Sequence, residues 1–472
     1  MKLNKKIITV MSVVCSLFLV TVIYLTYFML FEAKEISNST YNQRIWAKEE
    51  KVLRGNIFDR NGVVLAESEQ TEGRQKRKYP FGKLYAHTIG YNNRTYGKTN
   101  LELNFNDYLL KTESVIDVLK RDDSDKSLDK GANLELTFEH EMTKLASSLM
   151  EGSNGSVVAI NPKTGEVYCM YSNPTFDPNE ENLLKNWDEL SAREDSAFVS
   201  RATQGRYAPG STFKIVTAAT AIESGFGNFS LTDSGSVKIG GHIFNNAGKK
   251  SYGNITMHEA IKYSSNVFFT SISQEFSKKS FEYMAKEFHI TKKIPFDLDV
   301  KWSELDFDAM DNVEIASTAI GQGKLQLTPL NMALVSCAVA NNGSIMKPYI
   351  VNRAYHEKGN TIYKAKPSVL SSPIKMNTAQ QIKEYMISCV KGGTGTRAQV
   401  GGITVAGKTG TAENEKKGKT HAWFIGFAPA ENPQIAICVM KEYSGSGGGS
   451  VCAPIASKII SHAYKTGLIS AN

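Results

Sequence analysis

The sequence predicts an α+β fold: an antiparallel sheet assembled from both ends of a large domain, with a cluster of helices inserted between them. Three observations carry this. Ser156-Val-Val-Ala-Ile160, the turn Asn161-Pro-Lys-Thr-Gly165 and Val167-Tyr-Cys-Met-Tyr171 read as a hairpin near the start of that domain. His421-Ala-Trp-Phe-Ile-Gly-Phe427 and Gln434-Ile-Ala-Ile-Cys-Val-Met440 are apolar, β-prone runs near its end. Between them, from Ser211 to about Ala340, the pattern is mostly helical. Strands that bracket a run of helices belong to the α+β class.

In chain order, Met1-Lys-Leu-Asn-Lys-Lys6 is a basic lead-in, and residues 7–31 are uncharged and mostly apolar. At about 1.5 Å per residue that run crosses a bilayer core of about 30 Å. It is too long for a cleavable leader, and Phe31-Glu-Ala-Lys-Glu has no small-x-small cleavage site. Lysines before the span place the N-terminus in the cytoplasm and the rest outside. The expected organisation is therefore a cytoplasmic tail (1–6), a transmembrane anchor (7–31), an N-terminal module (32–130) and a large domain (131–472).

Within the module, Arg54-Gly-Asn-Ile-Phe-Asp-Arg-Asn-Gly62 reads as a short strand entering an Asn-Gly turn, followed by Val63-Val-Leu65. Residues 70–78 read as a charged loop. Arg121-Asp-Asp-Ser-Asp-Lys-Ser-Leu-Asp-Lys130 is charge-dense and reads as a linker. No catalytic grouping appears here, so the module is expected to space or dock. In the large domain, Leu134, Leu136 and Phe138 alternate as a strand, and Met142, Leu145 and Leu149 follow at helical spacing. Ile403-Thr-Val-Ala406 leads into Gly407-Lys-Thr-Gly-Thr411, and a glycine-rich loop at 444–450 precedes a last helix from about Ala453 to Tyr464.

Composition excludes several function classes. The 472 residues are 41% hydrophobic and 22% charged, ordinary for a globular protein with room for two or three domains. The net charge of +8 suits an anionic surface or polymer, but no basic stripe interleaved with aromatics points to nucleic acid. Of six cysteines, Cys15 lies in the apolar segment, and the other five show no paired or metal-ligand spacing, so buried thiols are expected. His140, His258 and His356 each precede a glutamate, yet none has a second histidine four residues on, which removes the zinc-protease reading. No metal or cofactor is expected.

The chemistry centres on Tyr207-Ala-Pro-Gly-Ser-Thr-Phe-Lys214. Pro209 and Gly210 break the backbone, and Ser211 opens an apolar helical run where free N–H groups and the helix dipole favour developing negative charge. Lys214, one turn on, brings an amine within reach of the Ser211 hydroxyl. Ser-x-x-Lys also occurs at Ser127, Ser344, Ser372 and Ser388, where a solvated face is the simpler reading. What singles out Ser211 is order: Ser264-Ser-Asn266 follows on a helical segment, and Lys408-Thr-Gly410 on a strand. Other copies of these triplets, at Ser470, Lys163 and Lys465, lack that context.

With this ordered triplet the chain resembles the class B penicillin-binding proteins, monofunctional peptidoglycan D,D-transpeptidases. Arg54-Gly-x-Ile57-x-Asp-Arg-Asn-Gly62, Asn173-Pro-Thr-Phe-Asp-Pro-Asn179, Gly321-Gln-Gly323 with Thr328-Pro-Leu330, Gly393-Thr-Gly-Thr396 and His421-Ala-Trp-Phe424 also resemble family segments. The resemblance spans about residues 50–460. One departure is Gly97-Lys-Thr-Asn-Leu-Glu102, where relatives usually carry a second glycine before Leu-Glu.

The resemblance implies a penicillin-binding, β-lactamase-like transpeptidase domain preceded by a dimerisation or pedestal-like module. It implies Ser211 attack between the two D-alanines of a stem peptide, with acylation of the same serine by β-lactams. Lys214 must then be neutral, although only about one amine in a few thousand is neutral at pH 7 at an ordinary pKa near 10.4. Burial and Lys408 as a second cation would both lower that pKa, a shift of about 3 units corresponding to about 4 kcal/mol. Ser264 is implied to relay a proton, and Asn266 to hold Lys214 and the substrate amide. Thr409 and Thr411 are expected to bind the terminal carboxylate. Gly410 is expected to leave room for substrate as an added strand, and the N–H groups of Ser211 and Thr411 are implied as the oxyanion hole.

A D,D-carboxypeptidase or β-lactamase-type hydrolase is the rival enzyme reading, and a non-catalytic β-lactam-binding scaffold the rival outside catalysis. The six-residue tail argues against a sensor, and about 100 residues before the large domain leave no room for a glycosyltransferase. A separate SEDS-type glycan polymerase (shape, elongation, division, sporulation) is the partner that the resemblance implies.

Overall fold

The computed structural model describes residues 2–32, 46, 51–71, 74–111, 129–357, 359–414 and 419–471. The helix Lys2–Tyr27 runs into a wider turn, Phe28–Glu32. Within 4–32 its most apolar 18-residue stretch has a mean hydropathy of 2.5 and is not buried in the protein, so this one helix among the described residues is long and apolar enough to cross a membrane. Four of its hydroxyls fit that setting. Thr9, Ser16, Thr21 and Thr26 each donate to the carbonyl four residues earlier, which leaves none of them unsatisfied in an apolar medium.

Both chain ends of the large domain do build one antiparallel sheet. Its order is Val167–Asn173, Gly155–Ile160, Ile435–Lys441, His421–Ala428 and Ala406–Ala412. Alternation sorts its side chains between two cores. Trp423, Ile425 and Phe427 join the core that holds the inserted helices, whereas Ala422, Phe424 and Ala428 face the core that holds the C-terminal helix Ala453–Lys465. With both faces covered, every residue of His421–Ala428 is buried, which explains its unbroken apolar sequence. The five cysteines beyond Cys15 are buried and unpaired.

The inserted part is less purely helical than expected. Two small ribbons interrupt it: Ser230–Asp233 pairs with Gly253–Thr256, and Ser236–Ile239 with His242–Asn245. The second turns on Gly240 and Gly241, both at positive φ, and most of its residues are exposed or half-buried, so it leaves little hydrophobic pattern to read.

Residues 70–78 also depart from expectation. They are not a loop but the turn and return strand of a hairpin, Val64–Thr71 against Arg74–Lys78. Glu67 lies opposite Lys78 and Glu69 opposite Lys76, so cross-strand charge pairing replaces the missing apolar face. Of the expected linker at 121–130, residues 121–128 lie outside those described, and Asp129–Lys130 pairs in parallel with Val52–Leu53.

The hairpin belongs to a six-stranded sheet ordered Thr361–Lys364, Val351–Tyr355, Asn133–Leu136, Ile57–Phe58, Val64–Thr71, Arg74–Lys78. The segment after the anchor thus shares a sheet with the large domain. Fully buried Arg54 donates from Nε to Glu102 at 2.6 Å, from Nη2 to the Glu102 carbonyl at 2.6 Å and from Nη1 to Asn106 at 2.7 Å. Arg77 Nε reaches the other Glu102 oxygen at 2.7 Å. Burial pushes the Glu102 pKa up, but Arg77 and Arg54 together hold it below the ordinary carboxylate range. Asn100, at the departing position, sits at φ +52. Asparagine tolerates that left-handed conformation better than other side chains, so it does the glycine's work.

Arg54→Ala leaves Glu102 buried with one charged partner, and is expected to destabilise the fold by about 3–5 kcal/mol. Denaturant unfolding of the full chain in detergent measures this, and a change under about 1 kcal/mol would refute it.

Candidate active site

The nucleophile segment is fixed by backbone contacts on three sides. Tyr207 exchanges two hydrogen bonds with Leu327, at 3.0 and 2.8 Å, and Gly210 N–H donates to Gly321 O at 2.9 Å. Trp423, fully buried, donates its indole N–H to Ala208 O at 3.0 Å. The Tyr207 hydroxyl and Arg201 Nε (2.8 Å) both donate to Glu442 Oε1, a buried cluster that the sequence reading missed. Gly210–Thr212 forms one 3-10 turn, and the α-helix proper starts at Lys214. Ser211 therefore precedes the helix by a turn rather than opening it. Its backbone N–H has no partner among the described residues.

Three glycines permit this packing. A Cβ on Gly321 would lie 2.0 Å from Gly210 O, and one on Gly210 would lie 2.5 Å from Thr411 O. A Cβ on Gly410 would meet Pro209 O at 2.8 Å and Thr212 Cγ2 at 2.9 Å. Gly410 is thus small at least because the nucleophile turn packs on it, a requirement that the sequence did not show. Ala406–Ala412 remains an edge strand, paired on one side only.

The direction of Thr411 follows from the same contact. Its carbonyl points at Gly210, away from the paired strand. In an antiparallel strand the N–H and C=O of one residue point to the same side, so the Thr411 N–H also faces the nucleophile turn. Its side chain is exposed, whereas Thr409 is buried with its hydroxyl 2.6 Å from that of Thr394. Thr394 belongs to Gly393-Thr-Gly-Thr396, the family segment whose role could not be read from sequence.

Ser264 ends the helix Met257–Tyr263 at φ +64. For a serine that conformation costs about 1–2 kcal/mol, a strain typical of functional positions. Lys214 Nζ donates to Ser264 O at 2.8 Å, to Ser264 Oγ at 3.3 Å and to Asn266 Oδ1 at 2.7 Å. Lys408 Nζ donates to the same Ser264 Oγ at 2.9 Å and to Thr409 O at 3.0 Å. The structure thus joins Lys214, Ser264, Asn266 and Lys408 in one hydrogen-bonded group. It does not hydrogen-bond Ser211 to Lys214, the contact expected from their spacing, because the amine is turned toward the Ser264 loop.

Both lysines are fully buried. Burial, and then the charge on Lys408, hold the Lys214 amine well below the ordinary lysine range. Burial also lowers Lys408. Behind the loop, Asp233, Asn245 and Asn246 hold Ser265 and Asn266. The sequence offered little signal for these three beyond turn-prone residues between short polar strands.

Two family models match the chain. The penicillin binding protein transpeptidase domain covers residues 155–461, and the penicillin binding protein A dimerisation domain covers 54–123. The chain belongs to the class B penicillin-binding proteins. Peptidoglycan D,D-transpeptidase PbpA of Mycolicibacterium smegmatis is 29% identical over 93% of this chain and 94% of its own length. The D,D-transpeptidase domain of peptidoglycan glycosyltransferase from Eggerthella lenta superposes with a TM-score of 0.80 at 31% identity, covering 89% of this chain and 100% of that one. Penicillin-binding protein A of M. tuberculosis, as its penicillin G acyl-enzyme complex, gives 0.80 at 28% identity, over 87% of this chain and 99% of that one.

Within this class B chain the lysine pair makes a prediction independent of turnover. NMR titration of 13Cε-labelled lysine is expected to place Lys214 well below the ordinary 10.5, and Lys408→Met to move it upward, because a like charge is removed. A Lys214 midpoint near 10.5, or one unmoved in Lys408→Met, would contradict the geometry.

Proposed function

We propose that this protein is a serine D,D-transpeptidase that cross-links peptidoglycan stem peptides. The observation that carries the reading is the buried Lys214–Ser264–Lys408 group, on the loop and edge strand that flank the turn carrying Ser211.

Ser211 Oγ attacks the carbonyl between the two D-alanines and gives its proton to neutral Lys214. Among the described residues the Ser211 hydroxyl has no hydrogen-bond partner, and hydrogen bonds of this kind commonly tighten only with substrate in place. The N–H groups of Ser211 and Thr411 stabilise the oxyanion. The C–N bond then breaks. The departing D-alanine amine takes a proton from Ser264, which regains one from Lys214, and Lys408 keeps the relay hydroxyl oriented. Thr411, with Thr409 and Lys408 behind it, receives the terminal carboxylate. An acceptor amine next attacks the Ser211 ester, loses its proton to Lys214, and the new amide leaves as Ser211 is re-protonated. A β-lactam acylates the same serine, but its amine stays tethered in the product and blocks the acceptor.

Transfer is favoured over hydrolysis by the likeness to named transpeptidases. The relatives named above are D,D-transpeptidases, and the acyl-enzyme fold they share supports an amine as the acceptor. The apolar helix serves as a membrane anchor, with the basic residues before it in the cytoplasm and everything after it outside. The anchor and the segment after it are the proposed contact for a SEDS-type glycan polymerase, a reading supported by family resemblance.

Fluorescent penicillin is expected to label the wild type and to lose labelling in Ser211→Ala by more than about a thousandfold. A labelled amine acceptor is expected to enter the product at the expense of water. Labelling that survives Ser211→Ala, or D-alanine release indifferent to added amine, would defeat the proposal.

A further inference from the structure

The Ser264-Ser265-Asn266 turn has a second side, facing away from the lysines, and one buried carboxyl group organises it. Asp233 is fully buried at the end of the strand Ser230–Asp233. Every side-chain contact it makes is with a donor. Gly235 N–H reaches Oδ1 at 2.8 Å, Asn246 Nδ2 reaches both oxygens at 2.8 Å, and Ser265 Oγ donates to Oδ2 at 2.6 Å. The group only accepts, as a carboxylate does.

These bonds decide the orientation of everything above them. With Asn246 Nδ2 committed to Asp233 and to Lys250 O (2.8 Å), Asn246 Oδ1 turns toward the catalytic loop. There it accepts Asn266 N–H at 2.7 Å and Val267 N–H at 3.1 Å. Ser265 Oγ, its hydrogen given to Asp233, accepts Phe268 N–H at 3.0 Å. The first three N–H groups of the helix Asn266–Ile272 thus rest, through two side chains, on one anion, at the end of the helix where its dipole favours negative charge. The same ribbon fixes the Asn266 amide. Nδ2 donates to Asn245 O at 2.8 Å, which leaves Oδ1 for Lys214 at 2.7 Å.

We infer that Asp233 is a positioning residue of this site: through Asn246 and Ser265 it fixes the Ser264–Asn266 turn against Lys214 and Lys408, and its charge offsets part of the cost of burying two amines. The inference rests on the transpeptidase reading above. The charged groups facing Lys214 are Lys408, from the edge strand, and Asp233, from beyond the turn; Ser264, Asn266 and the Phe269 ring (5.7 Å) complete its surroundings. Burial lowers the basicity of the Lys214 amine most, Lys408 lowers it further, and Asp233 raises it. Asp233→Asn removes only the last influence, so the amine deprotonates at lower pH. A group that merely stabilised the fold would slow the reaction without moving its pH dependence.

The test is the rate of Ser211 acylation by fluorescent penicillin against pH, on the full chain in detergent, with a melting curve for each variant. Asp233→Asn is expected to acylate about tenfold more slowly or worse, with the acid limb moved down by about half a pH unit or more. Ser265→Ala keeps the charge and loses one bond to it, so a comparable slowing with an unmoved limb is expected. An unmoved limb in Asp233→Asn, or a rate within about twofold of wild type in either variant, overturns the inference. Should Asp233→Asn fail to fold, Asp233→Ser is read in its place, and an unmoved acid limb there overturns the inference equally. A wild type that penicillin does not label would sink the transpeptidase reading instead, so the two failures are told apart.

Discussion

Two lysine amines with no solvent exposure meet at one serine hydroxyl, and the rest of this structure is arranged around making that tolerable. An amine taken out of water loses its hydration, and a second cation beside it adds repulsion. Lowering a lysine pKa by about 3 units costs about 4 kcal/mol. That is a large part of the 5–15 kcal/mol by which a folded domain is typically stable. Carbonyls and hydroxyls of the Ser264 loop and of Thr409 accept the amine hydrogens, which satisfies the groups without returning the charge.

Around these amines the site is crowded with backbone. The nucleophile turn is wedged between the edge strand and Gly321, with carbonyl oxygens about where a Cβ would stand at Gly210, Gly321 and Gly410. Side chains at those positions would force the strand and the turn apart. The separation would then fall on the catalytic groups, since the strand carries Lys408 and the turn carries Ser211.

Away from the site, the segment that follows the apolar helix is tied to the large domain by a shared sheet and is braced within itself by Glu102 held between Arg54 and Arg77. The N-terminal signature and the departing segment, more than 40 residues apart in sequence, turn out to be two halves of one ionic contact. Asn100 keeps the backbone that a glycine would otherwise supply.

Much of this was legible in the residues alone. Motifs set by one helical turn or by strand alternation, such as Ser211 with Lys214 or the apolar runs at 421–427 and 434–440, report local geometry directly. Their order, together with the resemblance it revealed, was enough for the α+β class and for the family. Tertiary structure alone decided that Lys214 bonds the Ser264 loop and not Ser211, and that Gly410 packs under the nucleophile turn. It also decided that 70–78 is a strand ribbon, and that Asp233 and Asn246 stand behind the loop. These are contacts between segments far apart in sequence, made by polar residues in short, part-exposed strands. Such strands carry no hydrophobic period, so nothing local records which partner they will meet.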